Sequence, residues 1–278
     1  MDIRQSSNYA KYMRRQGWKV EKINGVYCYL KKFPIIGYFC KIQRPGTTLG
    51  ERDIKLLRKK YRIFQIVVEP SDEKQGTRLK DLGFKLTKSP YLPSKTLILD
   101  LKKPKNILFK NLSKDARYSI NKTKALPLFT GHDLQSFHES WGKAVKLAHH
   151  VPKLSTLQAL SQSFTHSALF LASHNKINDV NFTSGALFLH SGDFVYYWQA
   201  FTSPAGRAGL AQYKILWQAI LWAKSKGARF FDFEGIYDPR FPQKSWLGFT
   251  VFKKKFGGVE KSYPGAYTKI YFPRNFKI

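Results

Sequence analysis

Residues 194–235 read FVYYWQAFTSPAGRAGLAQYKILWQAILWAKSKGARFFDFEG, and this run organises the second half of the chain. Phe194 to Phe201 is rich in aromatic residues and predicts a strand. Ser203 to Gly209 carries Ser, Pro and Gly and predicts a turn. Leu210 to Lys226 predicts a long helix ended by Gly227, and Arg229 to Phe233 predicts the strand that follows. Working outward, 168–173 and 179–190 predict two strands immediately upstream. Helices are expected over 113–124, about 134–149 and 154–164. Ser113 suits the N-cap of the first, and Leu134, Phe137, Trp141, Ala144 and Ala148 recur on one face of the second. Thr96 to Leu101, with alternating apolar positions, opens the unit.

Pro90 and Pro93, with Ser and Lys nearby, mark a linker ahead of it. Upstream of the linker the pattern predicts a helix over 7–16, strands over 18–30 and 35–42, and an amphipathic helix over 48–60. Asn24-Gly25 places a hairpin turn inside the first strand segment. A nearly continuous apolar strand, 61–69, and a helix closing at 79–84 complete this half. Strands alternating with helices at this spacing give an α/β layer.

In the second unit, helices precede an antiparallel strand set, and a loop, a helix and a last strand follow. That order is the order of an acyl-CoA acetyltransferase (GNAT)-like fold. In such folds the loop between strand and helix offers backbone N–H groups to a pyrophosphate, and reads Gln or Arg, two residues, Gly, one residue, then Gly or Ala. Here Gly206 to Ala211 reads Gly-Arg-Ala-Gly-Leu-Ala, so Gly206 stands where a basic or amide residue belongs. The expectation is a relative of the acetyltransferases that no longer uses acyl-CoA. An acyl-CoA-dependent N-acyltransferase remains as an alternative.

Charge is the first functional indication. Forty-eight Lys and Arg stand against 18 Asp and Glu, for a net +30 distributed over both halves. Such a field attracts polyanions: nucleic acid, nucleotide-linked substrates or an anionic membrane face. A general lysine bias, or a non-catalytic nucleic-acid binder, would carry the same charge. Cys28 and Cys40 lie in apolar stretches away from any metal-ligand spacing and read as buried thiols. The first residues are polar, and no run reaches the roughly 18 apolar residues of a membrane span. A cytoplasmic protein is expected, with peripheral contact at the inner membrane face as a further expectation.

The sequence carries no Ser nucleophile elbow, no phosphate loop with Gly-Lys-Ser and no His pair at helical metal spacing. His149 and His150 are adjacent and read as ordinary helix-end residues. Two carboxylates, Asp232 and Glu234, end the strand at 229–233 two residues apart, and strand periodicity places them on one face with Phe231 and Phe233 on the other. They read equally as structural hydrogen-bonding groups. Phe252-Lys253-Lys254-Lys255-Phe256-Gly257-Gly258 follows, in which a lysine held among aromatics could stabilise an oxyanion, while a bare lysine run is a solvated face. Lys114, Arg117, Asn121 and Lys124 form a cationic stripe suited to a phosphate backbone, or an ordinary solvated surface.

Three blocks of residues together resemble the Fem-type (FemABX) aminoacyltransferases, which build peptidoglycan interpeptide bridges. Phe231-Asp232-Phe233-Glu234-Gly235-Ile236 followed by Gly248 to Gly257 is similar to their Tyr-Asp-Leu-Gly-Gly-Ile, then Gly and Phe-Lys-x-x-Phe. Asn111-Leu112-Ser113-Lys114 through Arg117, Ile120 and Lys122 resembles their Ser-Lys-x-x-Arg-x-x-Ile-x-Lys helix. Gln5-Ser6-Ser7-Asn8-Tyr9-Ala10-Lys11 is similar to their Gln-Ser-x-x-Trp-x-Lys opening. The resemblance implies an α/β (α+β) protein of two GNAT-like domains, with mixed, mostly antiparallel sheets facing a shared cleft. The first domain would span 1–94 with 266–278 returning to it, and the second 95–265. It also implies transfer from aminoacyl-tRNA, as co-substrate, to a stem-peptide amine of a UDP-MurNAc-peptide or lipid-linked precursor, with no metal or other cofactor. By position, Lys253 would stabilise the tetrahedral intermediate, Phe252 shape the aminoacyl pocket and Lys11 hold the precursor phosphates. Lys153 stands in for an Arg of the family's diphosphate grip, and Tyr197 and Arg117 complete the expected substrate-binding set. Glu234 departs from the pattern, which has Gly there.

Overall fold

In the computed structural model of the chain, which describes residues 1–131, 133–145, 151–174 and 181–271, Asn24 and Gly25 both take left-handed backbone angles, φ 47° and 84°. A tight hairpin with matching twist requires that pair. It folds β1 (Lys19–Ile23) antiparallel onto β2 (Val26–Phe33), and β3 (Gly37–Gln43) continues the meander. Helix α2 (Glu51–Lys60) then crosses over to β4 (Ile63–Glu69), which runs parallel to β3. Helix α3 (Glu73–Asp81) leads to the short β5 (Lys85–Leu86). Between β4 and β5 lies the last strand in the chain, β13 (Tyr267–Ile270), antiparallel to both. The sheet order is β1-β2-β3-β4-β13-β5. Cys28, Leu30, Cys40, Ile42, Leu57, Ile66 and Leu79 fill its core, and both cysteines are free thiols.

The opening motif is structural at Gln5 and Ser6. Gln5 Nε2 donates to Gln43 O at 2.9 Å and its Oε1 accepts from Tyr27 N at 2.8 Å, so one side chain ties β2 to the end of β3. Ser6 caps α1 (Ser7–Arg15) by accepting from Tyr9 N at 3.1 Å. The β3/β4 pair is closed from Tyr38↔Ile63 to Gln43↔Glu69, and Gln43 Nε2 donates to Glu69 Oε2 at 3.0 Å across its end.

The second sheet begins with β6 (Lys95–Asp100), followed by α4 (Lys105–Lys110), α5 (Lys114–Lys122), β7 (Phe129–Thr130), α6 (Leu134–Ala144) and α7 (Leu154–Ser163). The meander β8 (Ala168–Ser173), β9 (Ser184–Ser191) and β10 (Phe194–Thr202) comes next. Two helices, α8 (Pro204–Ala208) and α9 (Ala211–Ser225), cross to β11 (Phe230–Gly235), parallel to β10. Helix α10 (Leu247–Lys254) and β12 (Val259–Ser262) close the unit. The order is β12-β6-β11-β10-β9-β8-β7, and α9 supplies Ile215, Leu216, Ala219, Ile220 and Ala223 to a core with Phe188, Phe231 and Phe233.

Both sheets are therefore mixed, mostly antiparallel, with one strand–helix–strand parallel crossover in each. The first unit comprises Met1–Lys95, Asp238–Gln243 and the described residues from Ser262, and the second comprises Thr96–Tyr237 and Lys244–Lys261. Asp238–Gln243 and residues 262–265, expected in the domain 95–265, belong instead to the first unit. Asp238 Oδ2 accepts from Ser94 Oγ at 2.6 Å, and Arg240 Nη2 donates to Tyr263 O at 2.9 Å. The expected turn over 203–209 is helix α8, because Ser203 caps it by accepting from Gly206 N at 3.0 Å and Pro204 needs no donor at its first position. The motif and lysine run over 248–257 prove to lie largely on helix α10, which periodicity did not predict. His149, His150 and residues 179–180 and 272–278 lie outside the described residues.

Candidate active site

The parallel strands β10 and β11 are paired only at Phe194↔Phe230, Val195↔Phe231 and Tyr196↔Asp232. Beyond those positions β10 continues along β9 to Thr202 and β11 along β6 to Gly235, so the two strands splay apart. A register shift falls on each side of the gap, between Tyr197 and Gln199 on β10 and between Asp232 and Gly235 on β11. The extra residue bends each strand and re-aims its side chains.

On β11 the bulge puts Glu234 at φ 57°. A side chain there costs about 1 kcal/mol relative to glycine, which gives the physical reason for glycine in the motif this segment resembles. Asp232, 2% exposed, holds the bulge: its Oδ1 accepts from Glu234 N at 2.7 Å and from the Thr96 hydroxyl. The Thr96 hydroxyl also lies 2.9 Å from Glu234 O. The simple alternation expected for Asp232 and Glu234 is thus broken, although Phe231 and Phe233 do share a face, with ring centroids 5.0 Å apart.

Helix α10 is aimed at the end of β11 by Thr250, whose hydroxyl donates to Trp246 O at 2.7 Å and accepts from Tyr237 N at 2.8 Å. Three residues on, and so on the same face, Lys253 is only 8% exposed. Its Nζ donates to Gly235 O at 2.6 Å and lies 4.9 Å from the Phe249 ring centroid and 5.6 Å from that of Tyr197. Among the described residues this is its one hydrogen bond, so two of its three N–H donors are uncommitted. Burial pulls the ammonium down to about 8 from the usual lysine value, while the carboxylates of Glu234 and then Asp232 oppose that shift. Burial also pushes the Tyr197 phenol up, so it stays a neutral hydroxyl. On β10, past the splay, Gln199 Oε1 is buried without a hydrogen-bond partner among the described residues.

The sequence-derived residues fall into distinct places. Lys253 and Tyr197 are brought together at the splay. Phe252 points to the other side of α10, packing on Tyr213 and Phe256 at 5.0 and 5.5 Å, within an aromatic cluster. Arg117 folds back on the α4–α5 turn, where Nη1 donates to Lys110 O at 2.8 Å and to Leu112 O. Lys153 is exposed at the start of α7, and Lys11 is exposed on α1 in the first unit. Sequence reasoning missed Thr250, Phe249 and the Gly235 carbonyl. A helical reading of 247–254 would have found the first two, since both share a face with Lys253 at steps of three and four.

Helix α5 is joined to the end of α10: Ser113 N donates to Lys255 O at 2.9 Å and Lys255 Nζ pairs with Asp115 Oδ2 at 2.9 Å. The far end of α5 borders a groove of about 680 Å³ lined by Lys105, Asn121, Lys124, Lys214, Trp217 and Gln218, among others. Lys214 Nζ reaches the Lys124 and Leu126 carbonyls there. In the position of the acetyltransferase cofactor loop, the amides of Gly206, Arg207, Gly209 and Leu210 all donate within α8 and its ends.

No curated protein matches the chain by sequence. Among solved structures it is similar to FemX, with a TM-score of 0.78 at 17% identity, covering 97% of this chain and 92% of that one. It is also similar to L-PGS from Bacillus licheniformis (TM-score 0.57, 12% identity, 92% and 85% covered). A tandem GNAT protein from the clavulanic acid biosynthesis pathway gives 0.56 at 9% identity, with 89% and 83% covered. These likenesses establish the two-sheet acetyltransferase-like fold. The FemAB family model matches residues 130–278, more than half of the sequence and the whole of the Lys253 segment, and the chain belongs to the FemAB family.

Proposed function

We propose that the protein is an aminoacyltransferase that moves an amino acid from aminoacyl-tRNA to the stem-peptide amine of a peptidoglycan precursor, UDP-MurNAc-linked or lipid-linked. The observation that carries this reading is Lys253: a buried ammonium at the splay of β10 and β11, with two uncommitted donors. The acceptor amine attacks the ester carbonyl carbon of the donor. The C–N bond forms, the carbonyl electron pair becomes an oxyanion, and collapse breaks the ester C–O bond while the amine proton passes to the released tRNA hydroxyl. The ester is already activated, so alignment and oxyanion stabilisation suffice. Lys253 supplies charge to that oxyanion in a low-dielectric setting, where such a donor is worth about 10²–10³ in rate.

Several features support the tRNA donor over acyl-CoA. The amides of Gly206, Arg207, Gly209 and Leu210 are engaged within α8 and its ends, which weighs against their use in gripping a pyrophosphate. The net charge of +30 and the lysine-lined groove along α5 and α9 suit an RNA backbone, with Trp217 among the lining residues. Lys11 and Lys153, both exposed, are assigned to the precursor's phosphates, and the same charge favours peripheral contact with an anionic membrane face. Phe252, assigned to the aminoacyl pocket by position alone, packs on Tyr213 and Phe256 and so supports α10 from the side away from Lys253. The test is incubation with pooled charged tRNAs and UDP-MurNAc-pentapeptide or its lipid-linked form. Aminoacylated precursor is expected. Turnover with acetyl-CoA and none with any charged tRNA would overturn the proposal.

A further inference from the structure

The turn between β2 and β3, Phe33-Pro34-Ile35-Ile36-Gly37, is the one tight hairpin among the described residues built from apolar side chains. The others turn on Asn24-Gly25, between β1 and β2, and on Gly192-Asp193, between β9 and β10. Phe33, Ile35 and Ile36 are 43%, 88% and 40% exposed, and Pro34 is exposed among them. The turn closes on one short bond, Ile36 N donating to Pro34 O at 2.7 Å, with Ile35 at φ 68°. That is a three-residue turn of the strained γ kind, and a β-branched side chain is an outlier in left-handed backbone. Gly or Asn at this position would relieve the strain and remove the exposed apolar surface. Instead the surroundings hold Ile35 out in water. Tyr38 N donates to Arg62 O at 2.7 Å, and Gly37 passes so close that a Cβ on it would lie 2.0 Å from the same oxygen. The Phe33 ring packs edge-on against Phe64, with centroids 5.8 Å apart. Strain kept in place by its neighbours is a mark of function.

The rim of this tip is cationic. No Asp or Glu occurs between Glu21 and Glu51, a stretch that holds Lys22, Lys31, Lys32, Lys41 and Arg44. Lys32 adjoins Phe33 and Arg62 lies against Gly37, and both side chains are exposed with no ion pair among the described residues. Glu21, on the adjacent β1, is already engaged by Lys60 and Tyr61. An apolar point ringed by unpaired cations complements the anionic face of a bilayer, where acyl chains receive the one and headgroup phosphates the other. We propose that the 33–37 turn is a membrane-docking wedge: it inserts Ile35 and Ile36 among the acyl chains of an anionic bilayer while Lys32 and Arg62 engage the headgroups. Net charge alone would give contact without insertion or orientation, and the tip supplies both. The wedge stands independently of the aminoacyl-transfer reading.

The test uses the full chain with vesicles of phosphatidylcholine, alone or with phosphatidylglycerol added. Ile35→Cys carries an environment-sensitive fluorophore, the two native cysteines being buried. With the anionic vesicles its emission is expected to shift to the blue and to be quenched by nitroxides placed on the acyl chains. Partition onto those vesicles, measured by flotation, should fall by roughly tenfold or more when Ile35→Asn and Ile36→Ser are combined, as two apolar side chains are withdrawn from the bilayer. Lys32→Gln should weaken it by roughly five-fold. Asn suits the left-handed backbone, so the melting temperature of the double variant should hold. Ile35→Gly, which relaxes the same backbone, serves in its place if the pair folds poorly, and should also weaken binding. An unshifted and unquenched fluorophore, or variants that partition as the wild type does, would overturn the proposal and reduce any binding to net charge. Binding to neither vesicle would overturn it too, and would turn the tip over to a protein partner. Transfer to a UDP-linked precursor is assayed without vesicles, so failure of that reading and failure of the wedge are told apart.

Discussion

Lys253 sits in surroundings that work against its own charge. Burial outweighs the two carboxylates, and the ammonium titrates at about 8. Because that lies below the unfolded value near 10.5, the unfolded chain binds more protons between the two. The cost of burying the cation, about 3 kcal/mol, is complete below pH 8 and is relieved as pH rises toward 10.5. The stability of the wild type relative to Lys253→Met should therefore rise by roughly 2–3 kcal/mol between pH 7 and pH 10, read from urea unfolding at each pH. A difference that does not change with pH would show that the lysine is solvated. At this scale the sequence was informative about identity and poor on geometry. Lys253 was legible as the one lysine of three directly after Phe252, and the same run left open a solvated face. What separates them is the step from Thr250 to Lys253 on the inner face of α10. Arg117 shows the reverse: its place in a basic stripe was legible, whereas its return to the Lys110 and Leu112 carbonyls depends on a turn whose shape no spacing reveals.

Elements with strong periodicity were readable, and those made by local exceptions were not. Helix α9 and the strands β8 to β10 follow from apolar runs bounded by Gly, Ser and Asp. The bulge in β11 escaped, because a glutamate gives no sign that its backbone will turn left-handed. Helix α8 escaped because Ser-Pro-Ala-Gly reads equally as a turn, and five residues are too few for propensity to decide. Packing settles it: a Cβ built on Gly206 would come within 2.2 Å of Ser184 Oγ and 2.4 Å of Thr183 O. Gly206→Ala should lower stability by about 1–3 kcal/mol, seen as a reduced melting temperature, as overpacked sites do. An unaffected melting temperature would mean that α8 is free to move away from β9 and open its amides. The two parallel pairs also behave differently for a visible reason. In the first sheet β3 and β4 remain paired to Gln43↔Glu69 with a side-chain bridge across the end, while β10 and β11 part after three positions. The candidate site belongs to the open pair.

For the whole molecule, composition and motif order carried most of the reading. Three motifs spread from Gln5 to Gly257 pointed to the family whose model matches residues 130–278. The match leaves out the opening motif and the block at 111–122, and the structure gives the opening motif a fold reason of its own in Gln5 and Ser6. The assignment of Asp238–Gln243 to the first unit was not legible, since it rests on hydrogen bonds to Ser94 and Tyr263, remote in sequence. The net charge makes a prediction of its own. If six or more phosphates are engaged, tRNA affinity should fall by about 10³-fold or more between 50 and 200 mM salt. Changing both Lys105 and Lys124 to Glu should flatten the slope of log affinity against log salt by about two, measured by filter binding. A slope unaltered by the double change would remove the groove from the RNA path. The central claim, that Lys253 stabilises charge developing during aminoacyl transfer, is tested most directly by single-turnover transfer from charged tRNA in Lys253→Met beside wild type, with tRNA affinity measured in parallel. The account predicts a rate lower by about 10²–10³ with affinity within a few-fold of wild type, and a rate equal to wild type would contradict it.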